Sequence, residues 1–350
     1  MLQSLDLYAS IIDPDNQDGT VYRRLSGGWR ELYRNLSLVF PILTSTLNSI
    51  RNLLPFPDSG SLAYVFADEA GTTGIHQLFP ALVRAKKALV VGDPLQLQPV
   101  MNLSKEMVER YYETAFVAQG LTDENYDLYS PSAYEATSAY QRAAGVQGTC
   151  FGKGKGIVLI DHFRCSPPIA AISNALGEYG LVIKTRPITP VLGTHLIATD
   201  IRGSQENMVN FGEIEAVVEW VRILYSHGYS FGSKNVEKSI GVLSPYRKQA
   251  NALRRALQAE YPDCNEDNTN TIHTFQGGEK AIVLLSTRQS QPSDTLMFLN
   301  RGPNLLNVGV SRAIESLILV GNLERLRGGV YSRIVVEHIE RHGQIRVPGN

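Results

Sequence analysis

The sequence predicts an α/β protein built on parallel sheets, and three observations carry the prediction. Short apolar runs of strand length recur: Leu62–Ala67, Ala88–Val91, Ser239–Leu243, Ile282–Leu285 and Leu317–Val320. They are near-continuous, as strands covered on both faces are. Segments with helical spacing stand between runs of this kind, such as Ile214, Val217, Val218, Val221 and Leu224, so strands and helices alternate as in a doubly wound sheet. The first two runs stop abruptly, one at Asp68-Glu69 and the other at Gly92-Asp93. Open α/β sheets bind their ligands beyond such strand ends.

Composition sets the outer bounds. The 350 residues suffice for two ordinary domains, and 43% hydrophobic with 19% charged residues describes a globular chain with adequate cores. The net charge of −1 gives no basic surplus, so any nucleic-acid contact has to be a local groove. Cys150, Cys165 and Cys264 are far apart and show no CxxC spacing. They read as thiols of a reducing compartment, cytoplasmic or nuclear, without a zinc or iron–sulfur site. No apolar run reaches membrane-spanning length, and the N-terminus lacks the basic-then-apolar order of a signal peptide. No membrane partner is expected.

Taken in order, Met1–Gly28 offers mainly turn signals, with Val21–Arg24 as a short strand. Trp29–Leu36 reads as a short helix. Val39–Leu43 is an apolar run ending in Thr44-Ser45-Thr46, and Leu47–Leu54 continues as a helix that Thr or Ser would cap. Gly71–Ala85 connects the first two strands through a helix carrying Leu78, Leu82 and Val83. Arg84, Lys86 and Lys87 lie at its cation-favouring end. Met101–Gln147 is rich in tyrosine, which fits half-buried packing or base stacking, and Ser132–Ala144 reads as helical.

Gly152-Lys153-Gly154-Lys155-Gly156 is not a phosphate loop. That loop needs GxxxxGK[ST], and glycine follows each lysine here. It reads as a flexible connection, giving domains 1–150 and 151–345. In the second, Ile157–Ile160 is a strand and Pro167-Pro168 opens a helix over Ile169–Leu176. Leu192–Ala198 is a strand, Asn210–His227 a helix ended by Gly228, and Arg247–Glu260 another helix. Leu317–Val320 reads as the last strand.

The chemistry starts at the first two strand ends. A carboxylate pair suits magnesium: Asp68 can hold a hydrated Mg²⁺ while Glu69 orients a water. Gly92-Asp93-Pro94 is a tight turn, and Gln96 is a neutral group able to reach a phosphate or a water. Gln276-Gly277-Gly278 is a loop that lets backbone approach a ligand.

DEAG followed by GDPLQLQPV resembles motifs II and III of superfamily 1 helicases, in the branch of the RNA-surveillance helicases and their DNA relatives. DHFRCSPP resembles motif IV, VLSPYRKQ a further element of that branch, TIHTFQGGEKAIVLLS motif V and NVGVSRAIESLILVG motif VI. The resemblance spans Leu62 to about Gly321. It implies two RecA-like P-loop NTPase domains, the first incomplete at its N-terminal side, that clasp ATP and Mg²⁺. It assigns Asp68 to the metal, Glu69 to the attacking water and Gln96 to sensing the γ-phosphate, with Asp93 beside it. It makes Arg164 a γ-phosphate contact and Arg312 the arginine finger, whose fork spreads charge without losing its proton. Tyr246, Gln249, Gln276, Gly277 and Glu279 would line the nucleotide, Glu279 at the ribose. Thr271, Thr44 and Thr46 would touch the backbone of a single-stranded nucleic acid, DNA favoured over RNA, with 5′→3′ polarity.

The chain departs from the family in one large respect. GxxxxGK[ST] occurs nowhere in it. Two expectations follow. One is a C-terminal helicase portion, inactive alone, whose upstream segment carries the loop. The other is a relative that binds without hydrolysing. In either case the first domain is expected to leave apolar strand faces uncovered, with self-association through them as one outcome.

Overall fold

Strict alternation along the strands decides how the larger sheet is covered. Leu317 and Leu319 enter one apolar core together with Leu196, Ala198, Val283 and Leu285. Ile318 and Val320 enter a second core with Ile197, Ile282 and Leu284. Successive side chains of a strand point to opposite faces, so a run that is apolar throughout needs cover on both. The computed structural model describes residues 34–35, 37–54, 59–99, 104–120, 138–144, 157–203, 205–275, 278–289 and 296–348.

The fold is α/β, with twelve strands among the described residues. These are β1 (Leu62–Ala67), β2 (Ala85–Val90), β3 (Asp161–His162), β4 (Val182–Ile183), β5 (Leu196–Asp200), β6 (Gln205–Glu206), β7 (Val209–Asn210), β8 (Ile240–Ser244), β9 (Thr269–Thr271), β10 (Lys280–Ser286), β11 (Ala313–Gly321) and β12 (Gln344–Ile345). Six of them form one sheet in the order β12-β5-β11-β10-β8-β9, with every pair parallel. Between β1 and β2 in the chain lies α1 (Ile75–Leu82), and the principal helices of the six-stranded sheet are α2 (Pro167–Gly177), α3 (Phe211–Ser226), α4 (Arg247–Gln258), α5 (Asn304–Ser311) and α6 (Val330–His342). α2, α5 and α6 cover one face; α3 and α4 cover the other. Prolines in the first turn suit the start of α2, where an amide would lack a partner anyway. Asn210 caps α3 by accepting from the Glu213 amide, and Gly228 follows that helix with φ +80°.

The chain divides into two compact units, one of Met1–Ala63 with Phe79–Lys87 and one of Tyr64–Leu78 with Ala88–Asn350. The six-stranded sheet belongs to the second. In the first, the buried Arg84 donates to the carbonyls of Leu54 and Pro80. Its role there is structural, as the sequence indicates.

Several expectations need correction. Among the described residues β1 and β2 pair only with each other, and they are not buried strands: Tyr64 is 57% and Phe66 72% exposed. A two-stranded sheet has no neighbour to bury its outer face. Thr46 precedes a 3-10 turn, Leu47–Ser49, with its hydroxyl on Ser49 rather than on a backbone amide. Residues 157–160 are irregular, and the strand there is the short β3, paired with β4. β11 is not the last strand, because α6 and β12 follow it. The turn signals of the first 28 residues, the glycine–lysine stretch at 152–156, and Gln276 and Gly277 lie outside the described residues.

Candidate functional site

Two glycines bring the first two strand ends together. A Cβ on Gly71 would lie 2.5 Å from the Asp93 carbonyl oxygen, and a Cβ on Gly92 would lie 2.5 Å from the Gly71 amide nitrogen. The DEAG and GDP segments therefore pack backbone against backbone, which only glycine permits. Ala70 donates to the Val91 carbonyl at 2.9 Å and Val91 to the Ala67 carbonyl at 2.8 Å. Glu69 sits in the left-handed region at φ 54°, uncommon for a side chain of this size. Its carbonyl accepts from both the amide and the hydroxyl of Thr72, and its amide donates to Asp68 Oδ1 at 2.9 Å. Backbone strain of this kind gathers at functional positions. Both acidic side chains are exposed.

The turn after Gly92 is built around Asp93. Asp93 Oδ1 accepts from the Leu95 amide at 2.9 Å, and Oδ2 accepts from Gln96 Nε2 at 3.1 Å and from the Tyr179 hydroxyl at 2.8 Å. Burial, with the Asp93 charge beside it, pushes the Tyr179 phenol well above its ordinary pKa. Leu97 then drops into the core shared with α2 and α5. The spacing of the QLQ sequence thus leaves Gln96 on the site and Leu97 in the core.

Arg312 follows α5 and precedes β11, whose first residue pairs with Lys280 of β10. It is almost fully buried. Its Nη1 donates to the Gly278 carbonyl at 3.2 Å, and its Nη2 makes a long contact of 3.5 Å to Gln96 Oε1. Burial and then the Arg164 charge lower the Arg312 pKa, and the Glu69 carboxylate pulls it the other way. Glu69, Arg164 and Arg312 therefore share one electrostatic neighbourhood. Arg164 is held there because Ser166 donates from its amide to Ile314 and from its hydroxyl to Glu315, beside the start of β11. Its Nε meets Glu279 Oε2 at 2.8 Å, and both side chains are substantially exposed. Between the two arginines in sequence, the buried Cys165 thiol is pushed up to about 12, chiefly by burial. It stays protonated and unreactive.

The other expected residues lie elsewhere. Tyr246, Gln249 and Thr271 sit at the C-terminal ends of β8 and β9, whereas Arg312 and Glu279 precede β11 and β10. Seven residues of β10 separate those two edges, about 20 Å at strand rise. Gln249 is buried, spanning the Asn210 backbone and the Ser286 hydroxyl. Tyr246 carries the Arg288 guanidinium 3.9 Å above its ring and accepts from Gln289. The Thr271 hydroxyl meets that of Thr274 at 2.9 Å. Thr44 and Thr46 are exposed in the first unit. The structure thus brings Glu69, Gln96, Arg164, Glu279 and Arg312 together, with Asp68 and Asp93 adjoining in sequence.

Three residues at this site escape sequence reasoning: Tyr179, Asn304 and Asn307. Their only signal is two amides three residues apart on a helix that is otherwise apolar, NLLNVGVS.

A family model described as an AAA domain matches residues 182–324. The mouse probable helicase senataxin is 23% identical over 364 residues, covering 98% of this chain and 13% of that protein. Helicase sen1 of Schizosaccharomyces pombe is 27% identical over 327 residues, covering 87% and 18%. The mouse 5'-3' DNA helicase ZGRF1 is 26% identical over 274 residues, covering 74% and 13%. The chain thus spans less than a fifth of each of these relatives. With the motifs in family order, these likenesses support a superfamily 1 helicase C-terminal region.

Proposed function

We propose that the chain is part of an ATP-dependent nucleic-acid helicase or translocase, in which lobes 1–150 and 151–345 close on one Mg²⁺·ATP. The observation that supports this most is the meeting of Gln96 and Arg312 at 3.5 Å with the Glu69 charge nearby. Opposite charges and a neutral amide there suit a γ-phosphate and its attacking water. Asp68 would hold Mg²⁺, which when bound neutralises charge between phosphates. Glu69 orients the water and takes its proton, Gln96 reads the γ-phosphate, and Arg312 and Arg164 stabilise its developing charge. Arg164 must leave Glu279 to do so, which frees that carboxylate for the ribose.

The residues present fit the γ-phosphate end. They do not supply the glycine-rich cradle for the other phosphates, since GxxxxGK[ST] is absent from these 350 residues. The 350-residue chain is therefore expected to turn over no ATP. Thr44, Thr46 and Thr271 would contact a single strand. The likeness to a relative named a 5'-3' DNA helicase favours DNA and that polarity.

The absent loop also favours a second reading, a non-hydrolysing nucleic-acid-binding or interaction module. ATP turnover by the protein purified from its native source, with and without single-stranded DNA, separates the two. The first reading expects stimulated turnover, reduced about a thousandfold or more by Arg312→Ala. No turnover, or turnover indifferent to Arg312, overturns it.

A further inference from the structure

We infer that Tyr179, Asn304 and Asn307 are positioning residues that tie the Asp93–Gln96 turn to the helix ending at Arg312, so that Gln96 and Arg312 meet the same phosphate as one unit. The inference rests on the reading of the site given above.

The turn has few bonds of its own: Leu95 and Gln96 donate from their amides to Asp93. α5 supplies the rest. Asn304 Nδ2 donates to the carbonyls of Pro94 and Gln96, and Asn307 Nδ2 to that of Leu95 at 2.9 Å. Three consecutive backbone oxygens are thus gripped by two amides one helical turn apart. The helix cannot swivel to release them, because Leu305, Leu306, Val308 and Val310 anchor it in the core beside Leu97.

Tyr179 closes the arrangement and gives it direction. Its hydroxyl accepts from Asn307 Nδ2 at 2.6 Å and donates to Asp93 Oδ2 at 2.8 Å. An amide nitrogen only donates, so the phenol oxygen accepts from Asn307 and its proton points at Asp93. The same Asp93 oxygen holds Gln96 Nε2. With its amino end committed, Gln96 presents its oxygen, the end that faces Arg312. Tyr179 therefore acts on Gln96 through Asp93, and Asn307 acts on both.

Two measurements test this. Hydrogen exchange on the 350-residue chain should show the amides of Leu95 and Gln96 losing about fivefold protection in Tyr179→Phe, and more in Asn307→Ala. Amides of β5, β10 and β11 should stay unchanged. Unchanged protection in the turn, or a uniform loss across the sheet, overturns the inference whatever becomes of the helicase reading. In the protein from its native source, Tyr179→Phe should lower kcat about tenfold with KM for ATP unchanged. If Arg312→Ala abolishes turnover while Tyr179→Phe leaves kcat alone, the helicase reading stands and this inference fails. If Arg312→Ala has no effect, both fail.

Discussion

Gly92 lies so close to Gly71 that a methyl group on it would stand 2.5 Å from the Gly71 amide nitrogen. Both partners are backbone, so neither can move aside as a side-chain tip could. Gly92→Ala and Gly71→Ala should each cost about 1–3 kcal/mol, the range for overpacking a tight contact. The strain would also part the Asp68–Glu69 corner from the Asp93 turn. Denaturant midpoints measure the cost, and a midpoint within error of the parent chain would show that the two strand ends are not clamped.

The Arg164–Glu279 pair makes the opposite prediction, a contact that matters for function but hardly for stability. Its side chains are 48% and 39% exposed, and solvent-screened pairs of this kind contribute between nothing and about 1 kcal/mol. Glu279→Gln should leave the unfolding midpoint nearly unchanged. On the proposed function it should still alter KM for ATP, because Arg164 loses its resting partner. A large drop in stability would make the pair structural instead.

What the sequence disclosed depends on the range of the interaction. The buried strands of the large sheet, the helix within Asn210–His227 and its Gly228 stop are local patterns, so periodicity and turn chemistry suffice to place them. Glu69, Gln96, Arg164 and Arg312 each sit in a motif with its own neighbours, and the fold brings them near one another. Asn304 was not legible: its acceptors, the carbonyls of Pro94 and Gln96, lie more than 200 residues earlier, and only folding joins them. Tyr246 and Gln249 read as site residues from their motif. Yet the parallel sheet sets them at the far end of their strands from Arg312, a separation spacing alone does not encode. The apolar runs of β1 and β2 predict burial. Apolar character reports what a strand could pack against, not whether a neighbour is there.

That last mismatch leaves a surface. Tyr64 and Phe66, two apart on β1, stack with ring centroids 6.3 Å apart, and Leu89 of β2 is 52% exposed. Contiguous exposed apolar area of this kind promotes association. Light scattering on the 350-residue chain should show mass rising with concentration, and Phe66→Ser should reduce both that rise and the binding of an apolar dye. A monomer at all concentrations, indifferent to the substitution, would mean the face is covered.

Glu213 gives the second unit one pH-dependent contribution, opposed by those of His162 and His273, whose imidazoles burial holds below their ordinary range. It is fully buried, and burial pushes its carboxyl up to about 7 from an ordinary 4.5, against the hydrogen bonds it accepts from the Ser286 hydroxyl and the Arg288 amide. Between those values the folded chain holds a proton that the unfolded chain has released. Stability therefore falls as pH rises from about 4.5 to about 7, on the order of a few kcal/mol, and is flat from this group on either side. The same carboxyl group accepts from the amide of Arg288, whose guanidinium lies over Tyr246. Across this range the unfolding midpoint of the parent chain should fall relative to that of Glu213→Gln, because the amide has no proton to exchange while the histidine contributions are common to both. Parallel pH profiles for the two proteins would show that Glu213 does not titrate in this window.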